Sequence, residues 1–276
     1  MPGIVAIGFQ GGSGATEGEV RGFPLALSKE HLEPLIDAVG AAIDQAGHAI
    51  AVYPTWAPPS SLQRLATVRA ATDIRRLAVY PTSLPPLAGA VLAELAAAVS
   101  TYVPSPGVLL SGLRRLENEL IVAAWLGSVA RLREPQPGLG QHLASWWPGT
   151  AFAVALLPQP IIRRLTKKDR RLAVPEPREP IRLAMSVHEG DPAWVREVLV
   201  PSLGLPPVDQ VAPTPEGPSW WGTRRLVEVV GHPTDISALA GRISLGVEGS
   251  LCGWCDETIA SNPCPFCGLD SRRGAA

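Results

Sequence analysis

Short apolar runs alternate with longer amphipathic segments through residues 3–100, and this alternation limits the chain more than any other sequence feature. Gly3 to Phe9 forms an apolar run that ends in a glycine-rich turn, Gly11-Gly12-Ser13-Gly14. Ser28 is placed to cap a helix reaching about Ala46, with Leu32, Leu35, Ile36, Val39 and Ile43 on one face. A strand at His48–Tyr53, a helix near Ser61–Ala71, a strand at Ile74–Tyr80 and an Ala-rich helix from Pro86 to Ser100 follow. Strands separated by helices of this length predict a mostly parallel sheet. The ends of two strands repeat, Ala51-Val52-Tyr53-Pro54-Thr55 and Ala78-Val79-Tyr80-Pro81-Thr82. Strand ends of this kind form ligand crevices in α/β sheets, although two β-α units sharing one strand exit is the plainer account.

Helical spacing of Leu109, Leu113, Leu116, Leu120, Ala124 and Trp125 predicts one amphipathic helix over Val108–Leu132. Pro135, Pro137, Gly138 and Gly140 then mark a linker. Beyond it come strands at Ala151–Leu157, Ile181–Val187 and Arg225–Val230, and helices opening near Pro192 and Asp235. The expected organisation is an α/β domain over 1–134, a linker over 135–149, a smaller α+β domain over 150–246 and a tail over 247–276. The fold class is α/β, with two α/β or α+β subdomains followed by a small four-cysteine knuckle.

Hydrophobic residues at 46% and charged residues at 18% exclude a disordered chain. A net charge of −1 excludes a binder that presents a uniformly basic surface to nucleic acid or membrane. The amino-terminal residues carry no basic n-region, as a secretory signal would. The long uncharged stretch Pro135–Ile162 is too broken by Pro and Gly to insert in a membrane. A cytoplasmic protein is expected, in which thiols stay reduced.

All four cysteines fall in the tail, as Cys252-Gly253-Trp254-Cys255 and Cys264-Pro265-Phe266-Cys267-Gly268. Two Cys-x-x-Cys turns present four thiolates, and a tetrahedral sulfur set suits Zn²⁺. The second turn resembles the rubredoxin-type knuckle of zinc ribbons. The gap of eight residues between the turns is short for a full β-hairpin arm, so a compact pair of knuckles is expected. Four protein ligands close the coordination sphere, which makes the zinc structural; iron is the alternative, because the same sulfur geometry suits either metal. The tail is expected to loosen without metal while the body stays folded.

Arg163, Arg164, Lys167, Lys168, Arg170 and Arg171 concentrate positive charge in one segment, able to contact an anion or nucleic acid or simply to lie solvated. The Gly11–Gly14 loop lacks the Gly-Lys-Ser/Thr of a phosphate-binding loop and the nucleophile-elbow pattern. His188 and His232 each follow an expected strand, and His188, Glu189, Asp191 and His232 would converge as an acid–base or metal group if those strands were neighbours, whereas the plainer account makes Asp191 a helix cap. Trp146-Trp147 and Trp220-Trp221 are adjacent pairs beside loops, where an exposed ring favours a binding surface. No catalytic constellation emerges. The expected function is therefore a zinc-stabilised scaffold that contacts another protein. Nucleic-acid binding through residues 163–171 and the knuckle comes second, and an enzyme site around His188 and His232 third.

Overall fold

The computed structural model describes residues 3–9, 20–24, 29–71 and 76–270. The Gly11–Gly14 loop and the Ser28 cap lie outside these residues. Strands β1 (Ile4–Ile7), β2 (Arg21–Phe23), β3 (Ala49–Pro54) and β4 (Leu77–Thr82) build one sheet, ordered β2-β1-β3-β4 and parallel throughout. Helices α1 (Lys29–Ala46) and α2 (Pro59–Ala71) connect them. Leu35, Val39 and Ala42 of α1 cover one face of the sheet, against Val5, Ile7, Ala49, Ala51 and Leu65. A parallel sheet is covered on both faces, which is why β1 and β3 are apolar at every position rather than alternating.

The other face meets helix α3 (Pro86–Val99), which is buried at every residue but Ala98. Apart from the buried Glu94 its residues are apolar on all sides, and such a helix belongs inside a protein. Here α3 lies between the first sheet and a second one, touching β1 and β3 on one side. The repeated strand ends sit side by side but slip by one residue, so Val52 pairs with Tyr80. Because a slip of one reverses the face, Tyr53 packs on the α1 side and Tyr80 on the α3 side.

Helix α4 (Pro106–Asn118) starts on a Ser105 cap, whose side chain accepts from the Val108 amide at 3.3 Å. It ends fourteen residues before the expected Leu132, and Ile121–Leu126 becomes strand β5 instead. That run is flanked by strands on both edges and covered on both faces. Its side chains are therefore apolar without alternation, a pattern that periodicity does not separate from a buried helix. Helix α5 (Leu139–Ala144) occupies the expected linker. Strands β6 (Ala151–Leu157), β7 (Ile161–Leu165) and β8 (Ile181–Val187) follow. Next come helix α6 (Pro192–Trp194), a π-turn over Val195–Leu199, helix α7 (Val200–Ser202) and strand β9 (Val208–Val211). Helix α8 (Gly217–Trp221), strand β10 (Leu226–Pro233) and helix α9 (Ile236–Ser244) complete the second unit.

The second sheet runs β7-β6-β5-β10-β8-β9, antiparallel except for β8 and β9. Residues 121–126, expected in the first unit, thus hydrogen-bond into the second. The tail adds a two-residue ladder of β11 (Ser250–Leu251) and β12 (Thr258–Ile259). No described helix is long and apolar enough to cross a membrane.

Candidate functional site

At the carboxyl ends of β3 and β4 the chain turns through two Pro-rich corners and enters α3. The amino end of α3 has no side-chain cap: Pro85 holds the cap position and Pro86 the first turn. The leading N–H groups of this long helix are left without helical partners, and its dipole favours negative charge there. Phe9 and Trp56 cover the first turn, edge to face with ring centroids 6.2 Å apart. Trp56 Nε1 donates to the Leu84 carbonyl at 2.9 Å, and the Leu84 amide donates to Thr82 Oγ1 at 3.2 Å. Gly89 is required beneath Phe9, since an added Cβ would lie 2.0 Å from the ring.

Thr82 is buried, and its hydroxyl donates to Glu117 Oε1. Glu117 Oε2 lies 3.5 Å from Arg114 Nη1. Burial, together with the adjacent Glu117 carboxylate, keeps the Tyr80 phenol protonated well above its ordinary range. Glu117 is thus compensated by Arg114 and two hydroxyls. Ser83, one residue on from Thr82, is exposed. The repeated motif pointed to these strand ends, but not to Glu117, which arrives from α4.

The four cysteine sulfurs all lie within 4.8 Å of one another, and none is disulfide-bonded. Cys252–Cys267 and Cys255–Cys264 sulfurs are each 3.7 Å apart. A tetrahedron of sulfurs ~2.3 Å from a central ion has edges of about 3.8 Å, so the donor set fits a metal ion. The two knuckles repeat one backbone pattern. Asp256 N–H donates to the Cys252 carbonyl at 3.0 Å, and Gly268 N–H to the Cys264 carbonyl at 2.8 Å. Both Asp256 and Gly268 take positive φ, 57° and 77°; Gly253, the other glycine beside the thiols, does not. Burial opposes ionisation of Cys252, but the amides of Trp254 and Cys255 outweigh it and hold the thiol at about 7.

This centre is not a detached tail. Cys252, Ile259, Cys264 and Phe266 belong to the same buried cluster as α3. Arg69 of α2 donates to the Phe266 carbonyl, His48 packs edge-on against the Phe266 ring, and Arg76 lies 3.9 Å from Glu257. An added Cβ at Gly107 would lie 1.9 Å from the Thr258 carbonyl, so α4 approaches the tail backbone directly.

Antiparallel pairing separates the two histidines. Strands β8 and β10 are neighbours, yet His188 follows Val187, which pairs with Val227, while His232 pairs with Arg182 at the far end of the ladder. They form no joint site. Asp191 caps α6, its Oδ1 accepting from the Ala193 amide at 3.0 Å. The basic residues occupy β7 and its following loop. Arg163 lies 3.9 Å from Asp169 and Arg170 3.2 Å from Glu197, so the run is partly neutralised by one acid of its own and one from the Val195–Leu199 turn. Lys167 and Arg170 line an open cleft of about 630 Å³ with Trp125, Gly149, Glu189 and Arg225.

A buried polar cluster went unread in the sequence. Glu228 accepts from Thr214 Oγ1 and from Trp221 Nε1, the latter at 3.0 Å, and His188 Nε2 lies 3.7 Å from its Oε2. Burial, with Glu228 nearby, raises the Glu216 pKa. One carboxylate inside the apolar run Leu226–Val230 was the available signal.

Two stacked sheets enclosing one apolar helix, with a four-thiol tail, define the class of molecule. The sequence matches no protein-family model and no curated protein. Solved structures share its fold. A DegV family protein of Corynebacterium glutamicum superposes at TM-score 0.55 and 12% identity, covering 84% of this chain and 96% of that one. A stearic acid-binding protein of Eubacterium ventriosum gives 0.54 and 11%, covering 84% and 98%. A DegV family protein of Eubacterium eligens loaded with heptadecanoic acid gives 0.53 and 12%, covering 85% and 100%.

These likenesses correct the expectations drawn from the tail. Two of these neighbours are described as binding or holding a fatty acid, against the expected zinc scaffold with a protein partner and the nucleic-acid alternative at Arg163, Arg164, Lys167, Lys168, Arg170 and Arg171; the enzyme site at His188 and His232 falls because the ladder holds the two histidines apart. The error has a physical source. The cysteines were the sharpest local motif, whereas the burial of α3 between two sheets leaves no short motif.

Proposed function

We propose that this protein binds a long-chain fatty acid, with the carboxylate at the amino end of α3 and the acyl chain running into the apolar layer between the sheets. The observation that carries this is α3 itself, apolar on every side apart from the buried Glu94 and without a side-chain cap where it follows the carboxyl end of β4. Ligands of open α/β sheets lie at such strand ends, and helix amino termini hold anions. Neighbours of this fold that hold heptadecanoic or stearic acid support the choice of ligand. Cys252, Cys255, Cys264 and Cys267 hold a structural zinc ion in the same protein.

Delipidated protein is titrated with stearic acid against a fluorescent acyl probe. Displacement at micromolar concentrations is expected, and none up to solubility would overturn the proposal. Ser83→Glu places a competing negative charge before α3. Affinity should fall about tenfold with thermal stability unchanged, because an acid near a helix amino terminus is itself favourable. Metal analysis should find one zinc per chain; iron at that ratio would replace zinc in the assignment.

A further inference from the structure

Helix α5 and the turn after it are amphipathic in the wrong sense for a soluble surface. Leu139, Leu143, Trp146 and Trp147 are 79%, 61%, 76% and 73% exposed, and α5 buries no residue fully. The Trp146 and Trp147 amides donate to the carbonyls of Leu143 and Ala144, which continues the helical turn. Positions 139, 143 and 146–147 therefore share one face. The opposite side holds the segment to the protein. Gln141 Nε2 donates to the Ile162 carbonyl at 2.9 Å, Ser145 Oγ accepts from the Val129 amide at 3.0 Å, and Ala144 packs against the core. The outward apolar face is fixed in place, not a loose end.

Exposed Arg133 and Glu134 precede this face in the chain, and a run of cations follows it. Residues 135–162 carry no Asp, Glu, Lys or Arg. Immediately beyond, Arg164 is exposed on the edge strand β7, on the same side of the sheet as Ile162, which packs in the cluster that takes Ala144. Lys167 lines a cleft with Gly149, two residues past Trp147, and Lys168 beside it is exposed. Rigid Trp and Leu side chains flanked by cations match the interfacial zone of a bilayer, where indole rings sit at headgroup level and cations meet anionic phosphates.

We propose that α5, Trp146 and Trp147, with Arg164, Lys167 and Lys168, form a docking surface for the face of an anionic lipid bilayer. The partner is the membrane surface; the protein lies on it and does not span it. A second copy meeting through the same face would cover the apolar side chains but would bring like cations towards each other. Vesicle docking is independent of acyl binding, so the two proposals are tested separately.

Full-length, metal-loaded protein is co-sedimented with phosphatidylglycerol–phosphatidylcholine vesicles and with phosphatidylcholine alone. Binding to the anionic vesicles is expected, weakening with salt and falling about tenfold on pure phosphatidylcholine. W146A/W147A should lower binding to the anionic vesicles about tenfold or more, and R164E/K167E should abolish the preference for them. Both variants should keep the wild-type melting temperature, since the altered side chains are exposed. Failure of the wild type to sediment, or equal sedimentation of W146A/W147A, would overturn the proposal. So would a concentration-dependent dimer that W146A/W147A dissolves while vesicles leave the wild type in solution.

Discussion

His232 shows how one buried side chain ties stability to pH. Its Nδ1 is 2.9 Å from the Pro233 carbonyl, while Nε2 is buried without a hydrogen-bond partner. Burial lowers its pKa, as it does for His48. The unfolded chain takes up a proton near pH 6.5 that the folded chain resists. Stability is therefore full above about pH 6.5 and falls as pH drops below it. Urea unfolding at pH 7.5 and 5.5 should show this loss, and His232→Gln should lose less. An equal loss in the variant would remove His232 as a cause. At Glu228 the hydrogen bonds themselves are at stake. Thr214→Val withdraws a hydroxyl from a buried carboxylate and should cost about 1–3 kcal/mol in unfolding free energy; a cost near zero would mean water replaces it.

Between elements, the contact of α4 with the tail is the most exacting. Gly107 touches the Thr258 carbonyl, so Gly107→Ala must push the β12 backbone away. Repacking of that kind costs about 1–3 kcal/mol. The variant should release metal to a chelator faster than wild type, and an unchanged release rate would mean the knuckle does not depend on α4. Element boundaries also show where local pattern fails. Ser105-Pro106 announced nothing about where α4 ends, and the apolar spacing ran on through Trp125. Strand β5 exists because β6 and β10 flank it, a circumstance found far along the chain. By contrast, α3 was legible, since Pro86 opens it and no polar face interrupts the Ala-Leu-Val run.

The molecule as a whole makes the four-thiol site matter beyond its own residues. The sequence expectation was a tail that comes loose alone. Phe266, Cys252 and Cys264 instead share a buried cluster with α3 and both sheets. Removal of the proposed zinc should lower the thermal transition of the whole chain by on the order of 5–10 °C. Calorimetry with and without chelator checks this, and Cys264→Ser should behave like the chelated protein. An unchanged transition would show that the tail is energetically separate from the body.

Some properties were settled by the sequence alone. The Cys-x-x-Cys pairs place thiols by local geometry, because two intervening residues return both side chains to one side of a tight turn. The β-α alternation led to a parallel first sheet for a similarly local reason, the period of apolar residues. What the tertiary structure decided depends on residues distant in the chain. The antiparallel register of β8 and β10 sends His188 and His232 to opposite ends, while Glu117 meets Thr82 only because α4 packs over the exit of β4. Above all, burial of α3 between two sheets, and exposure of Trp146 and Trp147 outside them, follow from which surfaces find partners; no short motif records that outcome.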